Sequence, residues 1–216
     1  EARLVSVPRD VKTCTVGYIA GAGDKVPEAL EQLGYSVKFL SDDELSSANL
    51  GAYGAIVVGV RAYNTRTRLK YVTPRLLDYV KDGGTLVVQY NKNFGLVTDR
   101  LGPYPFTVEN LRVTEEDAPV KFLLPADPVL NTPNKITEAD FDGWVQERGI
   151  YFVDQVDAHY RQPLSMHDTG EAPLDGSLIV TDYGKGRYVY TGLDFFRQLP
   201  AGVPGAYRLY VNLLEK

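Results

Sequence analysis

The sequence predicts a three-layer α/β sandwich built on a mostly parallel, doubly wound sheet. Two apolar, β-branched runs, residues 55–60 and 85–88, have the continuous hydrophobicity of strands that are buried on both faces. Strand and helix patterns alternate along roughly the first 90 residues, which is typical of βα units in a parallel sheet.

The first unit consists of a strand at residues 13–20, a turn at residues 21–24 and a helix at residues 27–33 that ends at Gly34. The turn, Gly-Ala-Gly-Asp, contains part of a dinucleotide fingerprint but lacks the third glycine. We therefore expect a structural turn and no cofactor.

The second unit begins with a strand at residues 36–40. Ser41 and Glu44 then form a capping box, in which each side chain bonds a backbone N–H that the new helix leaves unpaired. The acidic pair Asp42-Asp43 belongs to this cap, so it is interpreted as structural rather than as a ribose-binding site.

The third strand, residues 55–60, leads to a helix that we expect to begin at Thr73-Pro74, because proline is favoured in the first turn, and to run through Val80. Asp82-Gly83-Gly84 ends this helix and starts the strand at residues 85–88.

The second half, from about residue 95, is divided into short segments by prolines, and we treat residues 1–216 as one domain with a loop-rich second half. Binding residues are often carried by such loops. The elements predicted here are a short helix at 137–140, a strand at 150–153, a hairpin of 178–183 with 187–191, and a closing helix at 206–214.

The composition limits the classes of partner that the chain is expected to bind. With 23 Lys and Arg against 28 Asp and Glu, the net charge of −5 gives no basic surface for nucleic acid, and no window is long and apolar enough for a membrane span.

The start at Glu1 suggests a processed chain or a fragment of a longer protein. The single cysteine, Cys14, excludes an internal disulfide and is expected to be a buried packing residue.

Polar side chains follow the two most apolar strands, where ligands bind in open α/β sheets. We expect these side chains to meet in one pocket, with the segment 144–148 as a wall or lid; the alternative is that they only fasten the long loops. The ten candidate ligand-binding residues are Arg61, Tyr63, Asn64, Gln89, Tyr90, Asn91, Trp144, Gln146, Glu147 and Arg148.

Several of these residues have a simpler interpretation. Trp144 is expected more often in a core than in a wall, and Glu147 with Arg148 suits an ion pair. Asp142 and Glu147 together could serve as the two carboxylates of a glycosidase. Asp157-Ala158-His159 offers two metal ligands, fewer than the three protein ligands of a catalytic zinc site, so no metal is expected.

The chain resembles a class I glutamine amidotransferase-like domain, a flavodoxin-like fold. More specifically, it is similar to the domain found C-terminal to PIG-L (LmbE-like) family deacetylases of Bacteroidetes-type bacteria. The segments that carry the resemblance are residues 59–64, 88–91, 102–106, 112–114, 133–136, 144–149 and 195–200.

The resemblance implies an α/β fold but no catalytic residues in this chain. Gln89-Tyr90-Asn91 stands where amidotransferases carry the cysteine of a Gly-x-Cys-x-Gly elbow, and neither His159 nor His167 belongs to a His-x-Glu pair. The zinc motif of PIG-L deacetylases, His-Pro-Asp-Asp, is missing from the sequence as well.

Two functions are consistent with this sequence. The first is a non-catalytic accessory domain of a PIG-L-like sugar N-deacetylase, which binds carbohydrate or packs on the catalytic deacetylase domain of the same chain; the resemblance then implies an extracytoplasmic or periplasmic location. The alternative is a carboxylate-dependent enzyme of sugar metabolism on an amidotransferase-like scaffold, by analogy with trehalose-utilisation domains.

Overall fold

The computed structural model describes residues 15–216, which form a central sheet with helices on both faces. In chain order the strands are β1 (Thr15–Ile19), β2 (Ser36–Phe39), β3 (Ala55–Val58), β4 (Thr85–Gln89), β5 (Thr107–Val108), β6 (Arg112–Val113), β7 (Val120–Phe122), β8 (Gly149–Ile150), β9 (Val153–Asp154), β10 (Leu164–Met166), β11 (Leu178–Tyr183) and β12 (Gly186–Thr191). The helices are α1 (Val26–Gln32), α2 (Asp42–Ser47), α3 (Ala62–Thr65), α4 (Leu69–Lys81), α5 (Phe195–Gln198) and α6 (Pro204–Leu214), with short 3₁₀ helices at Leu50–Ala52, Pro128–Leu130 and Glu138–Phe141.

Six strands form the central sheet in the order β2-β1-β3-β4-β12-β11. All neighbours are parallel except the edge strand β11, which is antiparallel to β12. The predicted α/β sandwich with a mostly parallel sheet is therefore confirmed, and the four strands expected from the sequence share this sheet. The predicted first strand starts at residue 13; residues 13 and 14, including Cys14, lie outside the described residues.

Alternation along the central strands divides the core into two layers. Val57 and Val87 face the layer that contains α1 and α6, whereas Ile56 and Leu86 face the layer that contains α2 and α4. These strand residues are fully buried, as expected for strands covered on both faces. Within residues 15–216, no helix is long and apolar enough to span a bilayer.

Helix α4 begins at Leu69, four residues before the predicted start at Thr73-Pro74. Leu69 and Val72 extend the buried face of the helix, and the Thr73 Oγ1 hydroxyl donates to the Leu69 carbonyl at 2.7 Å. Pro74 is tolerated inside the helix because it is exposed and the Lys70 carbonyl, which loses its usual partner, is also on the exposed side. Burial of the apolar face thus outweighed the local proline signal.

The predicted strand at 150–153 is also interrupted. Tyr151 has a φ of 55° and separates β8, which pairs with β6, from β9, which pairs with β5. The Ile150 N–H donates to the Gly192 carbonyl at 2.9 Å, so the interruption fastens this segment to the end of β12. By contrast, the hairpin of β11 and β12, the capping box of α2 and the closing helix α6 occur where they were predicted.

Candidate functional site

The glycine turn after β1 is occupied by the protein's own groups. Asp24 accepts hydrogen bonds from the Tyr18 hydroxyl at 2.6 Å, the Val26 N–H at 2.9 Å and the Val60 N–H at 3.3 Å. A Cβ atom on Gly21 would lie 2.1 Å from the Val60 carbonyl oxygen, so glycine is required for close packing against the end of β3. The turn is structural, in keeping with its incomplete fingerprint.

Asn91, after β4, is completely buried and fully bonded. Its Oδ1 accepts from the Tyr63 N–H at 2.9 Å, its Nδ2 donates to the Gln89 carbonyl at 3.0 Å, and its own N–H donates to the Tyr190 hydroxyl at 3.0 Å. The Gln89 amide is engaged too, because its Nε2 donates to the Tyr18 hydroxyl at 3.0 Å. These amides connect neighbouring strand ends.

Asn64 and Tyr63, after β3, are braces of the same kind. The Asn64 amide donates to the Phe94 carbonyl at 3.0 Å and accepts from the Lys92 N–H at 2.8 Å, which holds the loop after β4. The Tyr63 hydroxyl lies 3.1 Å from Thr73 Oγ1, and burial raises the pKa of Tyr63 to about 12. We call Tyr63, Asn64, Gln89 and Asn91 the amide brace.

The segment from Trp144 to Arg148 is divided between core and surface, because only its two end residues are buried. Trp144 is 2% exposed and donates from Nε1 to the Asp140 carbonyl at 3.0 Å. Arg148 donates to the Ala118 carbonyl at 3.1 and 2.8 Å and to the Phe141 carbonyl. Burial lowers the pKa of Arg148, and its guanidinium stacks over the Trp144 ring with 5.8 Å between the guanidinium carbon and the ring centroid.

Glu147 differs from the buried members of this segment in the partners that it contacts. It forms an ion pair with Arg197 at 3.2 Å instead of the expected pair with Arg148, and Arg197 also binds Asp194 at 3.2 Å. Gln146 is exposed, and its N–H donates to the Glu116 carboxylate. Glu147 is thus the member of the segment that joins a cluster of charged side chains.

Asp194 and Glu147 form a contacting pair of carboxyl groups at the end of β12. Asp194 is fully buried. Burial, and secondly the hydrogen bond and charge of Glu147, raise the pKa of Asp194 to about 9, although Arg197 acts in the opposite direction. Among residues 15–216 no N–H or hydroxyl donor reaches Asp194 Oδ1. Burial and the adjacent Glu147 carboxyl thus both favour the protonated form of Asp194.

Half-buried aromatic rings lie beside this pair. Tyr90 stacks on Tyr151 with 5.9 Å between ring centroids and an angle of 11°, and it contacts Phe196 at 5.4 Å. Arg197 lies over the Phe196 ring at 4.8 Å. Burial and the charge of Asp194 raise the pKa of Tyr90, whereas Arg61 and Arg197 lower it, so both cations and Asp194 act on one hydroxyl.

Arg61 completes the cluster from the end of β3. Its backbone is left-handed, with a φ of 58°, and is held by the bond from the Arg61 N–H to the Tyr90 carbonyl at 2.9 Å. The guanidinium Nε is buried and has no acceptor among residues 15–216. Strained non-glycine backbone that persists in a fold often marks a functional site, and here it occurs at both Arg61 and Tyr151.

The strand order brings this cluster together, because β3, β4 and β12 are neighbours and their carboxyl ends meet at one edge of the sheet. We call the cluster the edge site; its residues are Arg61, Tyr90, Glu147, Tyr151, Asp194, Phe196 and Arg197. Of the ten residues predicted from the sequence, three belong to it.

Sequence reasoning missed Asp194, Tyr151, Phe196 and Arg197. The same rule that selected Tyr90 applies to Asp194, which follows the buried strand β12, but only the structure shows that β12 lies next to β4. Asp142, the proposed partner of Glu147, is exposed at the surface.

The two side chains considered for a metal bind each other. His159 Nδ1 lies 2.6 Å from Asp157 Oδ1, and the pKa of Asp157 is lowered by the hydrogen bond from the His159 N–H at 2.9 Å and secondly by this ring contact. The His159 ring also stacks on Tyr104 with 4.0 Å between centroids. Within the described part of the chain, no group of three side chains could hold a metal ion.

No family model matches the sequence, and no curated protein matches it. Solved structures share its fold at low identity. A cytoplasmic protein from Salmonella typhimurium has a TM-score of 0.56 and 14% identity, with 93% of this chain covering 96% of that chain. The β-galactosidase of Rahnella sp. R3 has a TM-score of 0.53 and 16% identity, with 95% of this chain covering 32% of the enzyme.

An exo-β-1,4-mannosidase from Opitutaceae bacterium strain TAV5 gives a TM-score of 0.53 and 13% identity, with 94% of this chain covering 36% of the enzyme. The chain therefore corresponds to the whole of one small protein and to about a third of two glycosidases. At these identities the similarity establishes the α/β fold alone.

Proposed function

We propose that this chain is a carbohydrate-binding accessory domain of a larger carbohydrate-active protein, with a PIG-L-like sugar N-deacetylase domain as its partner. The observation that carries the proposal is the edge site, where half-buried aromatic rings adjoin two arginines and a carboxyl pair.

This combination suits a sugar. Aromatic rings such as Tyr90, Tyr151 and Phe196 provide apolar faces against which the C–H face of a pyranose can pack. Arginine and carboxyl groups bond hydroxyls directionally, and a few such groups around an apolar surface fix the orientation of a ligand. Stacking gives affinity and the polar groups give specificity.

The carboxyl geometry argues against glycoside hydrolysis. A glycosidase separates its two carboxyls by about 5 to 10 Å so that they act on opposite sides of the scissile bond. Asp194 and Glu147 contact each other and share Arg197, which leaves no room for a sugar ring between them. This supports binding over the carboxylate-dependent enzyme.

One observation favours the enzyme, which remains the second candidate. A carboxyl group whose pKa is raised to about 9 is protonated at neutral pH and is suited to act as a general acid. Turnover of nitrophenyl glycosides that is lost in Asp194→Asn would establish this candidate in place of the binding domain.

The architecture of the structurally similar enzymes agrees with an accessory position. The β-galactosidase and the mannosidase act on sugars by name, and this chain covers 32% and 36% of them. A fold of this type is therefore found as one part of larger carbohydrate-active proteins.

Calorimetric titration of the 216-residue chain with neutral and acidic mono- and oligosaccharides tests the proposal. Tyr151→Ala should weaken binding about tenfold or more through loss of stacking. Tyr71→Ala is the matched control, since Tyr71 is 70% exposed on α4 and lies outside the edge site. Absence of binding to every saccharide, or equal losses in both variants, would refute carbohydrate binding at this site.

A further inference from the structure

We propose that the edge site is specific for an acidic sugar, a uronic acid or a similar polyhydroxy carboxylate, whose carboxylate binds Arg61. This inference rests on the proposed carbohydrate binding and specifies the ligand class.

The first argument is the missing acceptor of Arg61. Arginine carries five N–H donors, and burying one without a partner costs free energy. Arg148, which is buried, places its donors on the carbonyls of Ala118 and Phe141. Arg61 is partly exposed and its Nε has no such acceptor among the described residues, so part of the hydrogen-bonding capacity of this guanidinium is unused within the fold.

The second argument is charge. Arg197 binds the carboxyl groups of both Asp194 and Glu147, so its charge is already engaged within the edge site. Arg61 remains as a second positive charge that forms no ion pair within residues 15–216. A neutral sugar would leave this charge uncompensated, whereas a carboxylate would compensate it with a charge-assisted hydrogen bond.

The third argument is positioning. The left-handed backbone of Arg61 and its bond to the Tyr90 carbonyl fix the start of the arginine side chain beside the aromatic rings. The guanidinium charge acts on the Tyr90 hydroxyl, so the cation and the ring that would stack on the sugar are close together. A ligand with a carboxylate on its pyranose ring matches this arrangement of one cation beside half-buried aromatic rings.

The test compares matched ligands and matched variants. The 216-residue chain is titrated with galacturonic acid oligomers and with the corresponding neutral galactose oligomers. Wild type should bind the acidic ligand at least about tenfold more tightly, as expected for one additional charge-assisted bond. Arg61→Gln should abolish this preference by weakening binding of the acidic ligand much more than binding of the neutral one, and Arg61→Lys should retain part of the preference. Both variants keep a Cβ atom, so the backbone strain is equal in each.

Arg100→Gln is the control, because Arg100 is exposed and lies outside the edge site; it should change neither affinity. Melting temperatures identify any variant that fails to fold. Equal affinity of wild type for the two ligands, or an equal loss of both in Arg61→Gln, would overturn the acidic preference and leave carbohydrate binding intact. Failure of wild type to bind these two ligands and every other saccharide in the panel would refute both proposals.

Discussion

Two groups of polar side chains lie at the same edge of the sheet and differ in how completely they are bonded. In the amide brace, Asn91 has partners for its Oδ1, its Nδ2 and its backbone N–H. In the edge site, Arg61 Nε is buried without an acceptor from residues 15–216. The position after a buried strand is common to both groups, so position alone does not identify a binding residue.

The difference has an energetic meaning. A buried polar group that is fully bonded stabilises the fold, whereas one without a partner costs about 1 to 3 kcal/mol. The edge site combines such costs with left-handed backbone at Arg61 and Tyr151. We therefore expect substitutions in the brace to reduce stability and substitutions in the edge site to reduce binding.

The largest loss of stability should follow from a substitution in the amide brace. Asn91→Ala leaves the Tyr63 N–H buried without an acceptor, and we expect the free energy of unfolding to fall by about 2 to 4 kcal/mol, measured by urea denaturation. Asn64→Ala is the control; Asn64 is only half-buried, so water can replace part of its bonds and the loss should be smaller. A change in saccharide affinity without loss of stability would place Asn91 in the binding site.

A smaller effect should follow from the carboxyl pair. In the folded state the pKa of Asp194 is raised to about 9, whereas an unfolded aspartate titrates near about 3.9. Between these values the folded state binds more protons, so its contribution to stability is complete below about pH 4 and is lost as the pH rises through about 9.

The side chain of the Asp194→Asn variant cannot ionise at this position, so the variant should not lose this stability as the pH rises. Relative to wild type, the variant should gain about 1 to 3 kcal/mol in unfolding free energy between pH 5 and pH 7. Asp175→Asn, at an exposed position, should give a curve parallel to wild type. Parallel curves for Asp194→Asn and wild type would show that the carboxyl pair does not hold a proton.

The smallest effect, and one of opposite sign, is expected at Arg61. Glycine adopts a φ of 58° without strain, and the substitution also removes the unpaired Nε, so Arg61→Gly should raise the unfolding free energy by about 0.5 to 1 kcal/mol while weakening ligand binding. Gln155→Gly is the control: Gln155 is exposed with a φ of 48°, so stability should rise without an effect on binding. Destabilisation by Arg61→Gly would make Arg61 a structural brace.

Most of the fold could be predicted because it depends on local patterns. The apolar runs of β3 and β4, the capping box of α2 and the glycine turn between β11 and β12 each determine structure within a few residues. The exceptions, Pro74 inside α4 and the interruption at Tyr151, arise where distant packing overrides the local signal.

The edge site could be predicted only in part, because its contacts also depend on packing between segments that are distant in the sequence. Arg61 and Tyr90 follow strands that are recognisable in the sequence, whereas Asp194 joins them through the pairing of β4 with β12. Nothing in the local sequence distinguishes Asn91, whose bonds are complete, from Arg61, whose Nε lacks an acceptor. That distinction depends on where the neighbouring backbone groups lie.

The pairing of β4 with β12 also has a consequence for the order of assembly. Gln89 pairs in register with Thr191, so about one hundred residues of chain separate two adjacent strands. Such long-range pairing is slow to form, because closing the long intervening loop costs conformational entropy before the contacts between the strands contribute any stabilisation. During synthesis, β1 to β4 leave the ribosome long before β12, and the edge site exists only after this late strand has inserted beside β4. A saccharide held at the edge site would bind only the completed sheet and would oppose the reopening of this junction.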